Sequence, residues 1–276
     1  DFDLVDLRQE AIDDLESRCP DLSDVWPLSP LQAGLLFHAE LAERSVDPYL
    51  VQVALDLAGA VDSERLRRAA DALLGRHENL RTAFLHSADG RAVQVVRSNV
   101  AAPWQEIDLT GAPDQEIDRA LAEDRARPFD MARAPLIRFT LIALAPEKFT
   151  LVLTNHHILL AGWSMPLLIR ALATLYAADG QVAALPHARA YRDYLTWMSR
   201  RDQQASRVVW ARMLSGVEGP TLLAPAVRSR RLSTMAAEWV FDLDEEFTTS
   251  LRGMARELGL TINTIVQASW GIVLAA

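Results

Sequence analysis

Two adjacent histidines, His156 and His157, stand where the apolar run from Phe149 to Thr154 gives way to Gly162 and a helix start at Ser164. An imidazole held between a strand end and a tight turn can reach a substrate while its backbone stays fixed, which is the geometry a general base requires. Neighbours on a strand point to opposite faces, so only one of the pair readily meets a substrate, and His156 reads as the structural member. Gly162 has two readings. Its N–H could face a developing oxyanion, where one fixed donor is worth about 3 kcal/mol, or it permits a backbone conformation closed to other residues.

Composition narrows the chemistry. A formal net charge of -9 argues against a phosphate-binding surface, so nucleic acid is not an expected partner. Cys19 is the only cysteine, which excludes an intramolecular disulfide framework and a cysteine-based zinc cluster and fits a reducing compartment. The Asp-rich opening lacks the basic region and apolar core of a signal peptide, and no run approaches the roughly 18 apolar residues of a membrane span. These features predict a soluble, cytoplasmic protein with no membrane partner.

The elements that must position the histidines follow from periodicity and punctuation. Residues 1–20 read as a connector with a short amphipathic helix from Gln9 to Arg18. Ser29 with Pro30 opens a helix running to about Glu43, Tyr49 to Leu57 alternates as a strand, and Asp62 or Ser63 starts a helix to about Leu74. Arg81 to Leu85 and Ala92 to Val96 flank Asp89-Gly90, a two-residue hairpin signal. Asp114 to Arg127 reads as a helix, Pro135 to Leu144 as a strand, and Pro146-Glu147 as the turn into the strand Lys148 to His156. Ser164 caps a helix ending at Asp179-Gly180. Beyond it, Ala188 to Leu214 reads as a helix, Gly216 to Arg231 as a loop, Ala236 to Leu243 as a strand, Asp244 to Leu258 as a helix, and Thr261 opens a last helix still apolar at Ala276.

Four ordered motifs resemble the condensation domain of nonribosomal peptide synthetases. Ser29-Pro30-Leu31-Gln32-Ala33-Gly34-Leu35-Leu36-Phe37-His38 is similar to the first, and Arg76-His77-Glu78-Asn79-Leu80-Arg81-Thr82-Ala83-Phe84 to the second. His156 to Ser164 resembles the active-site HHxxxDG motif, and Tyr191-Arg192-Asp193-Tyr194-Leu195-Thr196-Trp197 the fourth. The resemblance implies an α/β, chloramphenicol-acetyltransferase-like two-lobed fold with a mixed β-sheet and packed helices. Residues 1–20 would be a linker from an upstream domain, 21–190 the N-terminal lobe, and 191–276 the beginning of a C-terminal lobe left incomplete. It also implies peptide-bond formation between a donor peptidyl or aminoacyl thioester and an acceptor aminoacyl thioester. Both would arrive on phosphopantetheine arms of upstream and downstream peptidyl carrier proteins, among neighbouring synthetase domains, with no cofactor or metal bound by the domain.

By the same resemblance His157 is the active-site residue, removing a proton from the attacking amine or positioning that amine. His156 and Gly162 stand beside it, and Ala161, Trp163, Ser164 and Arg81 support the motif. Trp163 reads as core, Arg81 with Glu78 as a buried structural ion pair, and His38 as a group at a helix C-terminus or on the cleft wall. Ala161 occupies the position of the motif aspartate. In the family that aspartate pairs with an arginine, so alanine would leave a cation short of a partner and impair turnover, whether as a disabled variant of an active domain or a natural domain that no longer catalyses. Two other readings are a condensation-like recruitment domain that binds partner enzymes and a stand-alone acyltransferase using coenzyme A. Ile158-Leu159-Leu160 with Leu28-Ser29-Pro30-Leu31-Gln32 resembles the subtype that joins a D-residue donor to an L-residue acceptor, and the opening Asp1-Phe2-Asp3-Leu4-Val5 resembles connectors that follow an epimerisation domain.

Overall fold

The computed structural model describes residues 2–41, 47–219 and 240–275. Its contacts divide it into two units, Asp1–Arg201 and Asp202–Ala276, a later division than the boundary at 190 expected from the motifs. The first unit runs α1 (Gln9–Arg18), β1 (Leu22–Pro27), α2 (Pro30–Leu41), β2 (Leu50–Ala58), α3 (Ser63–Arg76), a short 3-10 turn (Glu78–Arg81), β3 (Thr82–His86) and β4 (Ala92–Arg97). It continues through β5 (Trp104–Asp108), α4 (Asp114–Ala126), β6 (Ile137–Ala145), β7 (Lys148–His156), α5 (Ser164–Ala177), a second 3-10 turn (Val182–Ala184) and α6 (Tyr191–Ser199).

The strands form two sheets, β1-β4-β3 and β2-β7-β6-β5. All pairings are antiparallel except β5 with β6. The larger sheet carries the histidines and is covered on both faces. On one face α3 and α5 lay Leu66, Ala70, Leu73, Leu168, Leu172 and Leu175 against Phe139, Leu141, Leu151 and Leu153. On the other, α4 sends Asp124 into a cross-strand row of Gln52, Thr154 and Arg138, aligned neighbours on β2, β7 and β6. Strand β7 is therefore buried on both sides from Thr150 to His156. A central strand so enclosed has little room to slip its register, because a one-residue shift would exchange its two faces.

Several sequence expectations need correction. Residues 1–20 do not trail away from the core: Ala11, Leu15 and Cys19 are buried, and Leu15 and Cys19 pack with Val25, Leu85, Val93 and Val95. The span Ala188 to Leu214 is two helices, α6 and α7 (Gln203–Met213), because Asp202 interrupts it as an N-cap accepting from Ala205 N–H at 2.9 Å. Ser164 is the first helical residue of α5 rather than its cap, a place held by Trp163 without a side-chain bond. Strands β1 and β5 show no clean alternation: β1 contains Asp24 and ends in Pro27, and β5 is a half-exposed edge strand with two acidic residues. The hairpin between β3 and β4 turns through Gly90 at φ 78°, with Ser87 N–H donating to Arg91 O, so its loop is longer than two residues.

In the second unit, α7 is followed by α8 (Glu245–Glu257), capped by Asp244, and α9 (Ile262–Ala275), opened by Thr261 Oγ1 accepting from Thr264 N–H. Val240 to Leu243 are not in a strand; the rest of the expected strand from Ala236, most of the loop to Arg231, and Glu43 lie outside the described residues. Among the described residues no single helix is long and apolar enough to cross a membrane.

Candidate active site

The ladder of β7 delivers the histidines to a fixed place. His156 N–H donates to Leu136 O at 3.0 Å and His157 N–H to Tyr49 O at 2.8 Å, so both neighbouring strands still hold the backbone where the strand ends. The chain then turns, with Leu159 N–H on His156 O at 3.1 Å and Ser164 N–H on Ala161 O at 2.8 Å. Ile158 and Leu160 are the apolar pegs of this turn, buried in two different clusters. With every second residue pinned inward, His157 is left half-buried, and Ala161, Gly162 and Trp163 are exposed.

His156 is fully buried, in keeping with the structural role expected of one member of the pair. Its Nδ1 accepts the Ile158 N–H at 3.1 Å, so that nitrogen carries no proton, and in the neutral ring the proton sits on Nε2. Nε2 lies 3.0 Å from Asp47 Oδ2, an ion-pair distance, with its N–H off the line of a directed hydrogen bond. Burial raises the Asp47 carboxyl, but the His156 imidazole and the Tyr49 N–H, donating to Oδ1 at 2.8 Å, outweigh it and hold the carboxyl below its usual range.

The first motif reaches the same turn through Gln32. Ser29 Oγ accepts Gln32 N–H at 3.2 Å and Gln32 Oε1 accepts Ser29 N–H at 2.9 Å, a capping box that opens α2. The other end of the Gln32 amide donates to Gln94 Oε1 at 3.0 Å and to Ile158 O at 3.4 Å. One buried side chain thus joins a helix start, the smaller sheet and the carbonyl of Ile158, the residue after His157. The spacing Ser29-Pro30-Leu31-Gln32 carries the capping signal; its partner across the chain leaves none.

The remaining site residues fall differently from expectation. Trp163 is not core: it is 92% exposed, because Leu160 and Leu168 take the inward positions on either side of it. Gly162 has no left-handed φ, and a Cβ there would meet nothing within 4 Å, so the conformational reading fails and its N–H remains the feature of interest. Arg81 is buried but forms no ion pair with Glu78. Its Nε donates to Leu74 O at 3.0 Å, at the C-terminal end of α3 where carbonyls lack helical partners, and its Nη1 donates to the carbonyls of Arg97 and Ser98. Among the described residues the one buried arginine nitrogen without a hydrogen bond is Arg65 Nε, 4.0 Å from Asp179. His38 is exposed at the last turn of α2, its ring 5.8 Å from that of Tyr49.

Two further groups stand out in the structure: Asp124, which gave no signal in the sequence, and His77, which lies in the second motif without an assigned role. Asp124 accepts from Arg138 Nε at 2.8 Å, from Arg127 Nη2 at 2.5 Å and from Gln52 Nε2 at 2.9 Å, and the Thr154 hydroxyl also donates to it. Burial raises this carboxyl, and the four donors overcome that effect and bring it to about 2. His77 faces two cavities, of about 1250 Å³ and about 560 Å³. Burial and then Arg76 hold its imidazole below the ordinary value. The larger cavity also meets Arg81 and the ring row Tyr191, Tyr194 and Trp197 of the fourth motif; the smaller meets Leu160 and Ser164. Neither is lined by His156 or His157.

The family model described as Condensation domain matches residues 22–276. A linear gramicidin synthase of Brevibacillus parabrevis is 35% identical over 283 residues, covering 99% of the chain and 4% of that protein. The chain therefore spans a small fraction of the curated relatives it matches. Among solved structures, the X-domain in complex with OxyB from teicoplanin biosynthesis aligns with a TM-score of 0.73 and 25% identity over 90% of this chain and 56% of the other. The first condensation domain of the CDA synthetase aligns with a TM-score of 0.71 and 23% identity over 91% and 61%. The architecture is the chloramphenicol-acetyltransferase-like α/β fold shared by such domains.

Proposed function

The chain belongs to the condensation domain family of nonribosomal peptide synthetases, and from that premise we propose that it is built to join a donor peptidyl or aminoacyl thioester to an acceptor aminoacyl thioester. The observation that carries the reading is the presentation of His157. Its own N–H and the next are both held, by Tyr49 O and by His156 Nδ1, while its ring stays half-exposed beside the open turn at Ala161 and Gly162.

In the step itself the acceptor's amine attacks the donor's thioester carbonyl. A C–N bond forms, the C–S bond breaks, and the carrier thiol departs. His157 takes the proton released by the amine or orients that amine, and the exposed Gly162 N–H is available to the oxyanion of the tetrahedral intermediate. Holding both thioesters in line supplies much of the acceleration, since well-oriented reactants behave as if at very high effective concentration. The substrates come on phosphopantetheine arms of peptidyl carrier proteins upstream and downstream, and the domain works in the cytoplasm beside its neighbouring synthetase domains. The resemblance of Ile158-Leu159-Leu160 to the motif of D-donor domains supports a donor ending in a D-residue.

Ala161 sets the level of activity. Without the motif carboxylate the turn from Ala161 to Trp163 depends on the Ala161 O to Ser164 N–H bond and on its two apolar pegs. This copy turns over poorly or not at all. The test is Ala161→Asp in the full-length protein with carrier-loaded substrates: dipeptidyl-thioester formation rises from undetectable if the reading holds, and an unchanged yield refutes it.

A second reading, recruitment of a partner enzyme, is favoured by one specific likeness, the X-domain solved as a complex with OxyB. Retention of a tailoring enzyme by the immobilised chain, with no product after Ala161→Asp, would select it.

A further inference from the structure

We infer that Asp47 is a positioning residue for His157, acting on the backbone on both sides of that residue; the inference rests on His157 being the reacting imidazole. One arm of the contact runs through Tyr49. Asp47 Oδ1 accepts the Tyr49 N–H at 2.8 Å, and Tyr49 O accepts the His157 N–H at 2.8 Å. The other arm runs through His156. Asp47 Oδ2 faces His156 Nε2 at 3.0 Å, and His156 Nδ1 accepts the Ile158 N–H at 3.1 Å. The peptide units before and after the His157 Cα are thus both tied, at one remove, to a single carboxylate.

The second arm depends on a proton location. Nδ1 can accept from Ile158 only while it is unprotonated, so the neutral ring must carry its proton on Nε2. A carboxylate beside Nε2 favours that tautomer, and the same logic fixes metal-bound and triad histidines through their second nitrogen. His156 has no access to water that could perform this service, since it is fully buried. Tyr49, its ring 6.3 Å from that of His156, fills the space beside the pair and is itself flanked by His38. The acidic group that selects the tautomer comes from the segment leading into β2, far from the histidines in sequence, and no motif announces it.

Two measurements separate this from a general packing role. In the unsubstituted chain, long-range proton–nitrogen NMR should find His156 protonated on Nε2 alone, with the His157 and Ile158 amides exchanging slowly. Asp47→Ala should speed exchange of those two amides at least tenfold while Leu153, deep in the β7 ladder, is unmoved. Asp47→Asn should keep the His157 amide slow, because its Oδ1 still accepts from Tyr49 N–H, but leave the Ile158 amide fast, because its Nδ2 would meet the His156 Nε2–H. In the Ala161→Asp protein, Asp47→Ala should lower kcat about 10- to 100-fold with KM nearly constant, the cost of a misplaced reacting group. A proton on Nδ1 of His156, unchanged exchange in Asp47→Ala, or faster exchange with kcat intact would each overturn the inference. Failure of the functional reading looks different: no product from Ala161→Asp with Asp47 in place, whatever the amides do.

Discussion

Replacing Asp124 by asparagine removes the charge from the most heavily bonded carboxylate among the described residues while keeping its size. Asp124 is 6% exposed and Arg138 8%, so the pair is screened little by solvent. A carboxyl moved from 3.8 to about 2 contributes, at 1.36 kcal/mol per unit, about 2 kcal/mol to stability at neutral pH. Substitution costs more than that figure, because the Asn Nδ2 would meet donors from Gln52 and Thr154 and the Arg138 guanidinium would lose its counter-charge. Breaking a buried pair from one side costs about 3 to 5 kcal/mol, and about 3 kcal/mol is expected here. The pH dependence has a definite sign. A carboxyl with a depressed folded pKa gives its full stabilisation above about 3.8 and loses it as pH falls toward about 2. The gap between parent and Asp124→Asn should therefore be constant from pH 7 to pH 5 and shrink by about 1 kcal/mol at pH 3. Urea unfolding followed by circular dichroism at pH 7, 5 and 3 measures it. A loss under about 1 kcal/mol at pH 7, or a gap that does not narrow in acid, would refute the reasoning.

Arg81→Ala should destabilise by about 3 kcal/mol in the same assay, since it strips donors from the carbonyls of Leu74, Arg97 and Ser98, whereas Glu78→Ala should stay within about 0.5 kcal/mol. Trp163→Ala should leave the unfolding midpoint unchanged, because the side chain is 92% exposed; a shift in midpoint would place it in the core after all. Gly162→Ala should also fold normally, its Cβ meeting nothing, so any fall in dipeptide formation in the Ala161→Asp protein would be assigned to the site and not to the fold. Gln32→Ala should cost about 1 to 2 kcal/mol as the capping box opens, and a cost near zero would show that the box contributes nothing in this context.

What could be read in the sequence was local. The strand into His156, the helices opened by Asp62, Asp244 and Thr261, and the inward set Leu66, Ala69, Ala70, Leu73 and Leu74 all depend on periods of two or 3.6 residues and on caps, which lie within a few positions of each other. Strand β5 is hidden for the matching reason. Trp104–Asp108 gains its conformation from pairing with β6, and three of its five residues are exposed, so there is no apolar rhythm to find. Trp163 misleads because an indole is usually buried, whereas here Leu160 and Leu168 already occupy the core positions on either side.

The residues that hold the site share a different property. Asp47 and Asp124 are ordinary polar residues on segments distant from His157 that become informative only when folding brings them to a partner, and Gln32, legible as a cap, shows its second role only through its contact with Ile158 O. A carboxylate next to a buried imidazole and an amide on a loop carbonyl leave no mark at fixed spacing. The histidine pair is legible because strand and turn present it locally. The restraint proposed to aim it is assembled by tertiary structure, and the same division explains why Ala161, a purely local departure from the motif, was visible in the sequence while Asp47 was not.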